Sequence, residues 1–192
     1  MRNPDGILAG QTDVELLAGI RAGNEEAFRE LVRRLEPKVA ATVIGMVGPG
    51  PEAEDIGQET FVRFYKALHA FRGDSAVASY VIRIAINLCK DERLRRKRRA
   101  QYFTDANPEQ LSDVPDPREK ADGISARDFV QRSLQKLSHE YREVIVLRLM
   151  DGFSTRETAE ILGLPEGTVT SRLARGQIKL RDIMEPMLKE AS

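Results

Sequence analysis

Residues 154–180, STRETAEILGLPEGTVTSRLARGQIKL, combine helix punctuation with side chains suited to nucleic acid. Thr168, Thr170, Ser171, Arg172 and Arg175 fall on the outward face of a predicted helix. Hydroxyls and guanidinium groups hydrogen-bond phosphates and base edges, and arginine suits bidentate recognition of guanine. Ser154 with Glu157 three residues on forms a capping box, which predicts a helix from Thr155. Gly163 ends that helix, since glycine tolerates the left-handed cap conformation. Pro165 fits the first turn of a second helix, with Val169, Leu173 and Ile178 as its inward stripe. The pattern is a helix-turn-helix, whose bland alternative is a helical hairpin with a solvated polar face.

A second concentration of chemistry lies at residues 83–99, RIAINLCKDERLRRKRR, where eight basic residues against Asp91 and Glu92 give a local net charge of 8 − 2 = +6. Such a helix neutralises phosphates and releases counterions, so its binding weakens with salt. Arg83, Asn87 and Lys90 are spaced by about one turn each and share a face, and the Asn87 amide can read a base edge. The alternative is a solvated basic helix end that complements the helix dipole.

Those elements need a scaffold, and its outline is legible. The chain has 192 residues, enough for two small domains. Lys plus Arg equals Asp plus Glu at 30 each, so only the distribution of charge points to nucleic acid. No apolar run is long enough to span a bilayer, and MRNPDGILAG lacks the layout of a secretion signal, so a cytoplasmic protein without membrane insertion is expected. Cys89 is alone, which excludes an internal disulfide and suits a small buried apolar residue. With only His69 and His139 beside it, neither a metal cluster nor a cofactor is expected. No P-loop, Gly-rich dinucleotide turn or nucleophile with a nearby base is present, so the chain does not read as an enzyme.

Apolar residues recur at helical spacing almost throughout, which predicts an all-α fold. Thr12 and Glu15 open a first helix with Val14, Leu17 and Ile20 inward and Gly23 as its stop. Asn24 caps a second, carrying Phe28, Leu31, Val32 and Leu35, and a third segment with Val39, Val43 and Val47 follows Pro37. A fourth helix begins near Pro51 with Ile56, Phe61, Phe64, Tyr65 and Leu68. Residues 71–78, FRGDSAVA, read as a loop, and Tyr80, Ile84 and Leu88 begin the basic helix. Prolines and aspartates then dominate, so residues 101–124 are predicted to be a flexible acidic linker. Ser125 and Asp128 open a helix whose stripe of Val130, Leu134, Leu137, Tyr141 and Ile145 packs under the helix-turn-helix.

EDIGQETF at 54–61, the loop at 71–78, YVIRIAINLCKD at 80–91 with its basic continuation, and the C-terminal helix-turn-helix occur in the order found in a bacterial RNA polymerase sigma factor. The chain most resembles the extracytoplasmic-function (ECF) group, from Asp13 to about Met184. The resemblance implies a region 2 helical bundle at residues 1–100 and a region 4 helix-turn-helix at 125–192. It implies that Asp55, Gln58, Glu59, Phe61 and Val62 lie on the helix that docks on the clamp of core RNA polymerase. Independently, Asp55, Gln58, Glu59 and Val62 stand at i, i+3, i+4 and i+7 and form one mostly polar stripe.

The same resemblance implies that Arg72, Gly73, Asp74 and Ser75 capture a flipped base of the melted minus-ten element, and that Arg83, Asn87, Lys90 and Arg93 contact that element. Small groups leave room for an extruded base, and Arg72 can hold a phosphate. Thr168, Thr170, Ser171, Arg172 and Arg175 are assigned to duplex minus-thirty-five DNA. The chain departs from the family at Tyr80, where tryptophan is frequent, at Val77 and Ala78, where an aromatic or basic residue is frequent, and at Thr170 and Ala174, where a basic and a bulkier residue are common. The implied partners are core RNA polymerase, promoter DNA as duplex and melted strand, and an anti-sigma factor, in a stress or envelope response. Two rival readings are a sigma-like decoy that binds an anti-sigma factor without touching DNA, and an autonomous helix-turn-helix regulator.

Overall fold

In the computed structural model residues 10–68, 71, 73, 76–104 and 125–190 are described, and every regular element among them is helical. Helix α1 (Asp13–Arg21) starts from a full capping box: Thr12 Oγ1 accepts from the Glu15 N–H, and the Glu15 carboxylate accepts from the Thr12 N–H. Its buried stripe is Leu16, Leu17 and Ile20, whereas Val14 is 75% exposed. This corrects the expected inward role of Val14, which stands two residues, roughly 200° of helix rotation, from the fully buried Leu16.

Asn24 caps α2 (Glu25–Val47) by accepting from the Glu26 and Ala27 N–H groups. The break expected at Pro37 does not occur, and one helix carries both predicted segments. Pro37 is exposed, while Leu35, Val39 and Val43 on the opposite side continue a single buried stripe, so tertiary packing outweighs the lost backbone hydrogen bond. After Gly48 and Gly50, both at positive φ, α3 (Pro51–Ala67) begins with proline at its first position. Helix α4 (Val77–Thr104) starts inside the expected loop and runs past residue 100 into the expected linker. Residues 105–124 lie outside the described residues.

Helix α2 packs on α1, α3 and α4, which also touch one another through α3 and α4. Phe64 is fully buried at the centre, 6.2 Å ring to ring from both Phe28 and Tyr80. Cys89 is buried here as expected, and burial pushes its thiol up to about 12.

In the C-terminal half, Ser125 caps α5 (Ala126–Lys136) by accepting from the Asp128 N–H. The single helix expected to carry the stripe to Ile145 is instead two, because Leu137 adopts an extended backbone and α6 (His139–Ile145) restarts after Ser138. A π-helical turn (Val146–Met150) leads to α7 (Thr155–Leu162), and Glu166–Glu190 forms α8. No helix among the described residues is long and apolar enough to cross a membrane.

The two halves share one apolar core: α2 contacts α5, α6 and the π turn, and α4 contacts α7. Thr42 of α2 lies at this seam, its hydroxyl 2.9 Å from the Lys38 carbonyl and 2.7 Å from Asp151 Oδ2. One hydroxyl proton serves only one of those acceptors. The Thr42 hydroxyl therefore donates to Asp151 Oδ2 or to Lys38 O, and the two acceptors compete for it.

Burial pushes the Asp151 carboxyl up to about 6, although the hydrogen bond from Thr42 and the charge of Lys38 pull the other way. The folded chain then binds this proton more tightly than the unfolded chain, so the contribution of Asp151 falls as pH rises from 3.8 to about 6 and is level above it. Asp151→Asn supplies a permanent donor. It should flatten that slope and raise stability at pH 7.5 by on the order of 2 kcal/mol, read as a higher Tm against wild type across a pH series.

Candidate nucleic-acid interface

Local sequence positions the helix-turn-helix. Ser154 and Glu157 make the expected reciprocal capping bonds at the start of α7, and Gly163 closes it at φ 66. The Pro165 carbonyl accepts from the Thr168 and Val169 N–H groups, so proline sits just before α8 and opens it. Val169 is fully buried and Leu173 packs on the core.

Ile178, expected inward, is 52% exposed. The inward position one turn below Leu173 belongs to Gly176, where an added Cβ would lie 3.3 Å from both Ile145 and Tyr141. Helix α8 therefore lies close against α6, and the stripe continues through Leu180 and Ile183. The missed signal is a glycine within a helical apolar pattern, which marks close approach of backbones.

Thr170, Ser171 and Arg175 are exposed, and Thr168 and Arg172 are half-buried beside them. The Thr170 hydroxyl donates to Glu166 O and the Ser171 hydroxyl to Thr168 O, which leaves oxygen lone pairs outward. Arg172 lies 3.5 Å from Glu140 of α6, so one of the two expected arginines is paired in the free chain. Salt and exposure make that pair weak and readily exchanged for a phosphate.

On α4, Arg83 and Asn87 are exposed on one face, and Lys90 follows them half-buried. The Arg83 guanidinium lies 5.2 Å from the Tyr80 ring centre, a cation–π contact that holds it over the aromatic cluster of Tyr80 and Phe71. Lys90 Nζ donates to Glu143 Oε2 at 2.9 Å, and His139 Nδ1 lies 2.7 Å from the other Glu143 oxygen. Burial alone would raise the Glu143 carboxyl, but His139 and Lys90 together hold it below its ordinary value.

Arg93 is exposed, while Glu92 gathers Arg95, Arg96 and Arg99, and Arg96 also pairs with Glu52 of α3. Gly73 is exposed at φ 84, and Arg72, Asp74 and Ser75 lie outside the described residues. No group of His, Cys, Asp and Glu among the described residues is arranged to hold a metal ion.

The α3 stripe is as the spacing required for its polar members: Asp55 and Gln58 are exposed, Glu59 is half-buried against Arg63 at 2.9 Å, and Val62 is 45% exposed. Phe61 is half-buried on the core. Sequence reading did not identify the open groove of about 420 Å³ beside Val62, lined by Phe28, Phe61 and Tyr65 between α2 and α3. Tyr65, expected inward, is 57% exposed there, with its ring 5.0 Å edge-on from Phe28. A helical projection places Tyr65 one turn beyond Val62, outside the Ile56–Phe64 stripe, which was the available signal.

Residues 31–100 match the family described as Sigma-70 region 2, and residues 130–180 match Sigma-70, region 4. The RNA polymerase sigma-H factor of Pseudomonas aeruginosa is 31% identical, over 96% of this chain and all of that one. The ECF RNA polymerase sigma-E factor of Escherichia coli K12 is 32% identical, over 93% of this chain and 97% of its own. This chain belongs to the sigma-70 family, in its ECF group.

A solved structure of CnrH in complex with the cytosolic domain of CnrY is 30% identical to this sigma factor and superposes with a TM-score of 0.68, over 91% of this chain and 97% of that one. RpoE of Bartonella quintana, solved with the anti-sigma factor NepR, shares the fold at a TM-score of 0.68 and 24% identity, over 82% of this chain and 96% of that one. The helix-turn-helix of this sigma factor is thus its region 4, and the bundle of α1–α4 contains its region 2. The chain is a transcription-initiation factor that works with core RNA polymerase and promoter DNA.

Proposed function

We propose that residues 1–100 bind core polymerase and the minus-ten element, that residues 125–192 bind the minus-thirty-five element, and that residues 101–124 tether the two. Asp55, Gln58, Glu59, Phe61 and Val62 dock on polymerase, the polar groups matching polar partners at the rim and Val62 leading into the apolar groove. Arg83, Asn87, Lys90 and Arg93 contact the minus-ten strand, with Arg72, Gly73, Asp74 and Ser75 around an extruded base. Thr168, Thr170, Ser171, Arg172 and Arg175 enter the duplex at minus-thirty-five. The polymerase performs the chemistry; this subunit positions it and traps unpaired bases in the cytoplasm. An anti-sigma factor restrains it in a stress or envelope response, a reading supported by the structural relative RpoE of Bartonella quintana, solved with the anti-sigma factor NepR.

The observation that carries this reading is a single chain presenting two polar, cationic faces, one on α4 with the Asn87 amide between basic residues and one on α8 with hydroxyls beside arginines, each within a matched sigma region. Purified chain, core bacterial polymerase and genomic promoter fragments should give transcripts with discrete starts that vanish when the chain is omitted. Absence of polymerase binding would overturn the reading in favour of a decoy or an autonomous regulator.

A further inference from the structure

The basic end of α4 carries its charge in two sets on opposite sides of the helix. Leu94 stands seven residues after Asn87 and eleven after Arg83, so at roughly 100° per residue the three fall in one row within about 40° of each other. Lys97 and Arg98 flank that row about one turn further on. Glu92 stands on the other side, in line with the buried Val81, Ala85 and Leu88. There it gathers Arg95, Arg96 and Arg99, the last at 2.6 Å, and Glu52 of α3 also accepts from Arg96 Nε at 3.2 Å. These three arginines have carboxylate partners within region 2, and the Arg96–Glu52 pair ties the projecting end of α4 to α3. Lys97 and Arg98 are exposed and, among the described residues, form no ion pair.

Leu94 is 44% exposed in the middle of the outward row. A single exposed leucine is ordinary on a protein surface, so its meaning lies in its neighbours. Asn87 lies about 10 Å before it along α4 and Arg98 about 6 Å beyond it, at ~1.5 Å per residue. The chain leaves α4 toward region 4, whose promoter element is upstream, so this end of the helix points to the upstream side of minus-ten. DNA on that side is still paired. With Arg83 and Asn87 on the melted strand, Leu94 falls where that strand meets the last base pair. Lys97 and Arg98 fall about 15 Å from Asn87, a reach of about four base pairs at ~3.4 Å each.

Resting on the sigma-factor reading, we infer that the C-terminal end of α4 is a further DNA-binding subsite, for the duplex immediately upstream of the melted element: Lys97 and Arg98 hold its phosphates, and Leu94 packs on its terminal base pair. Opening a duplex exposes the apolar face of the last pair to water, and leucine is among the side chains that cover or wedge such base steps. The ammonium and guanidinium on either side supply phosphate contacts that fix the register without reading sequence. The subsite thus holds the upstream edge of the opened region and requires only that the DNA there be paired.

The test uses the full chain bound to core polymerase, titrated with a fluorescent strand that carries a minus-ten element taken from a mapped start. The strand is bare, or joined at its upstream end to three, six or twelve base pairs of duplex without a minus-thirty-five element. Wild-type affinity should rise up to about six base pairs and then level, and its salt slope should steepen by roughly 1.8, from two duplex phosphates at ~0.9 each. Lys97→Ala/Arg98→Ala should remove that added slope and leave bare-strand binding unchanged. Arg95→Ala/Arg99→Ala, an equal loss of charge from the opposite side of α4, should retain it. Contacts made by the polymerase are common to all variants and cancel in the comparison.

Leu94→Ala should lower affinity for the forked DNA about tenfold, with no change in salt slope or in bare-strand affinity. Leu94→Met keeps an apolar side chain on a good helix former and should restore it. A Lys97→Ala/Arg98→Ala chain that binds the fork with wild-type affinity and slope overturns the proposal and assigns this end of α4 to a protein partner. Equal losses from Arg95→Ala/Arg99→Ala overturn it too, because net charge alone then accounts for the effect, as does a Leu94→Ala loss of the same size on the bare strand. If the wild-type complex binds the fork no better than one with a scrambled minus-ten sequence, the sigma reading itself fails, and this inference fails with it.

Discussion

Arg142→Ala should lower the stability of the full chain by about 3–5 kcal/mol, the largest single-residue loss expected outside the apolar core. The guanidinium makes five hydrogen bonds: Nε to Leu134 O, Nη1 to Met46 O and Gln135 Oε1, and Nη2 to Gln135 O and Leu137 O, at 2.6–2.9 Å. Three of these acceptors are carbonyls at the C-terminal end of α5, and the fourth carbonyl belongs to the last turn of α2. Alanine removes this donor from all four carbonyls; Leu134 O keeps the Leu137 N–H at 3.0 Å, while those of Gln135, Leu137 and Met46 lose the guanidinium in a half-buried setting, and an unmet buried acceptor costs about 1–3 kcal/mol. Burial lowers the Arg142 pKa, with Arg93 adding to the effect, but its multiple acceptors suit a planar, permanently charged fork.

Lysine brings a single ammonium in place of the fork, so Arg142→Lys should recover less than half of the loss. Urea denaturation of wild type, Arg142→Ala and Arg142→Lys at constant m-value reads the difference. A loss below about 1 kcal/mol would show that water replaces these bonds at little cost.

Arg83→Ala and Asn87→Ala should both weaken binding to a melted minus-ten strand, by about 1–3 kcal/mol each, yet separate in their salt dependence. Arg83 is exposed and positioned over Tyr80, so as a phosphate contact its loss should reduce the salt slope by roughly 0.7 on single-stranded DNA. Asn87, exposed one turn on, carries no charge, so its loss should leave the slope unchanged and relax preference at one base. Equilibrium titrations at several salt concentrations, against oligonucleotides varied at each minus-ten position, measure both quantities. Equal slopes for Arg83→Ala and wild type would remove Arg83 from the phosphate contacts. Unchanged base preference in Asn87→Ala would make that side chain a surface amide.

Much of the fold is local and therefore legible in the sequence. Thr12 with Glu15, Asn24, Ser125 with Asp128, and Ser154 with Glu157 cap helices because each bond joins groups at most three residues apart. Gly163 stops α7 through its own φ. The outward set on α8 and the Arg83–Asn87 face likewise follow from helical spacing alone. Motif order and spacing along the chain carry the resemblance to the ECF sigma group without any tertiary contact.

Tertiary structure decided what local spacing leaves degenerate. Pro37 breaks a helix in isolation, yet Leu35, Val39 and Val43 bury on one surface and carry α2 through it. Val14, Tyr65 and Ile178 are apolar at plausible inward positions, and only the placement of neighbouring helices leaves them exposed. Above all, the sequence determined two regions and their separate reading faces, while the contact between them depended on folding. Gly45 and Val146 are about a hundred residues apart, and neither carries a local signal that the other fills its space. Pairing Lys90 with Glu143 likewise requires α4 and α6 to meet, which is a matter of shape complementarity between surfaces and has no period in the chain.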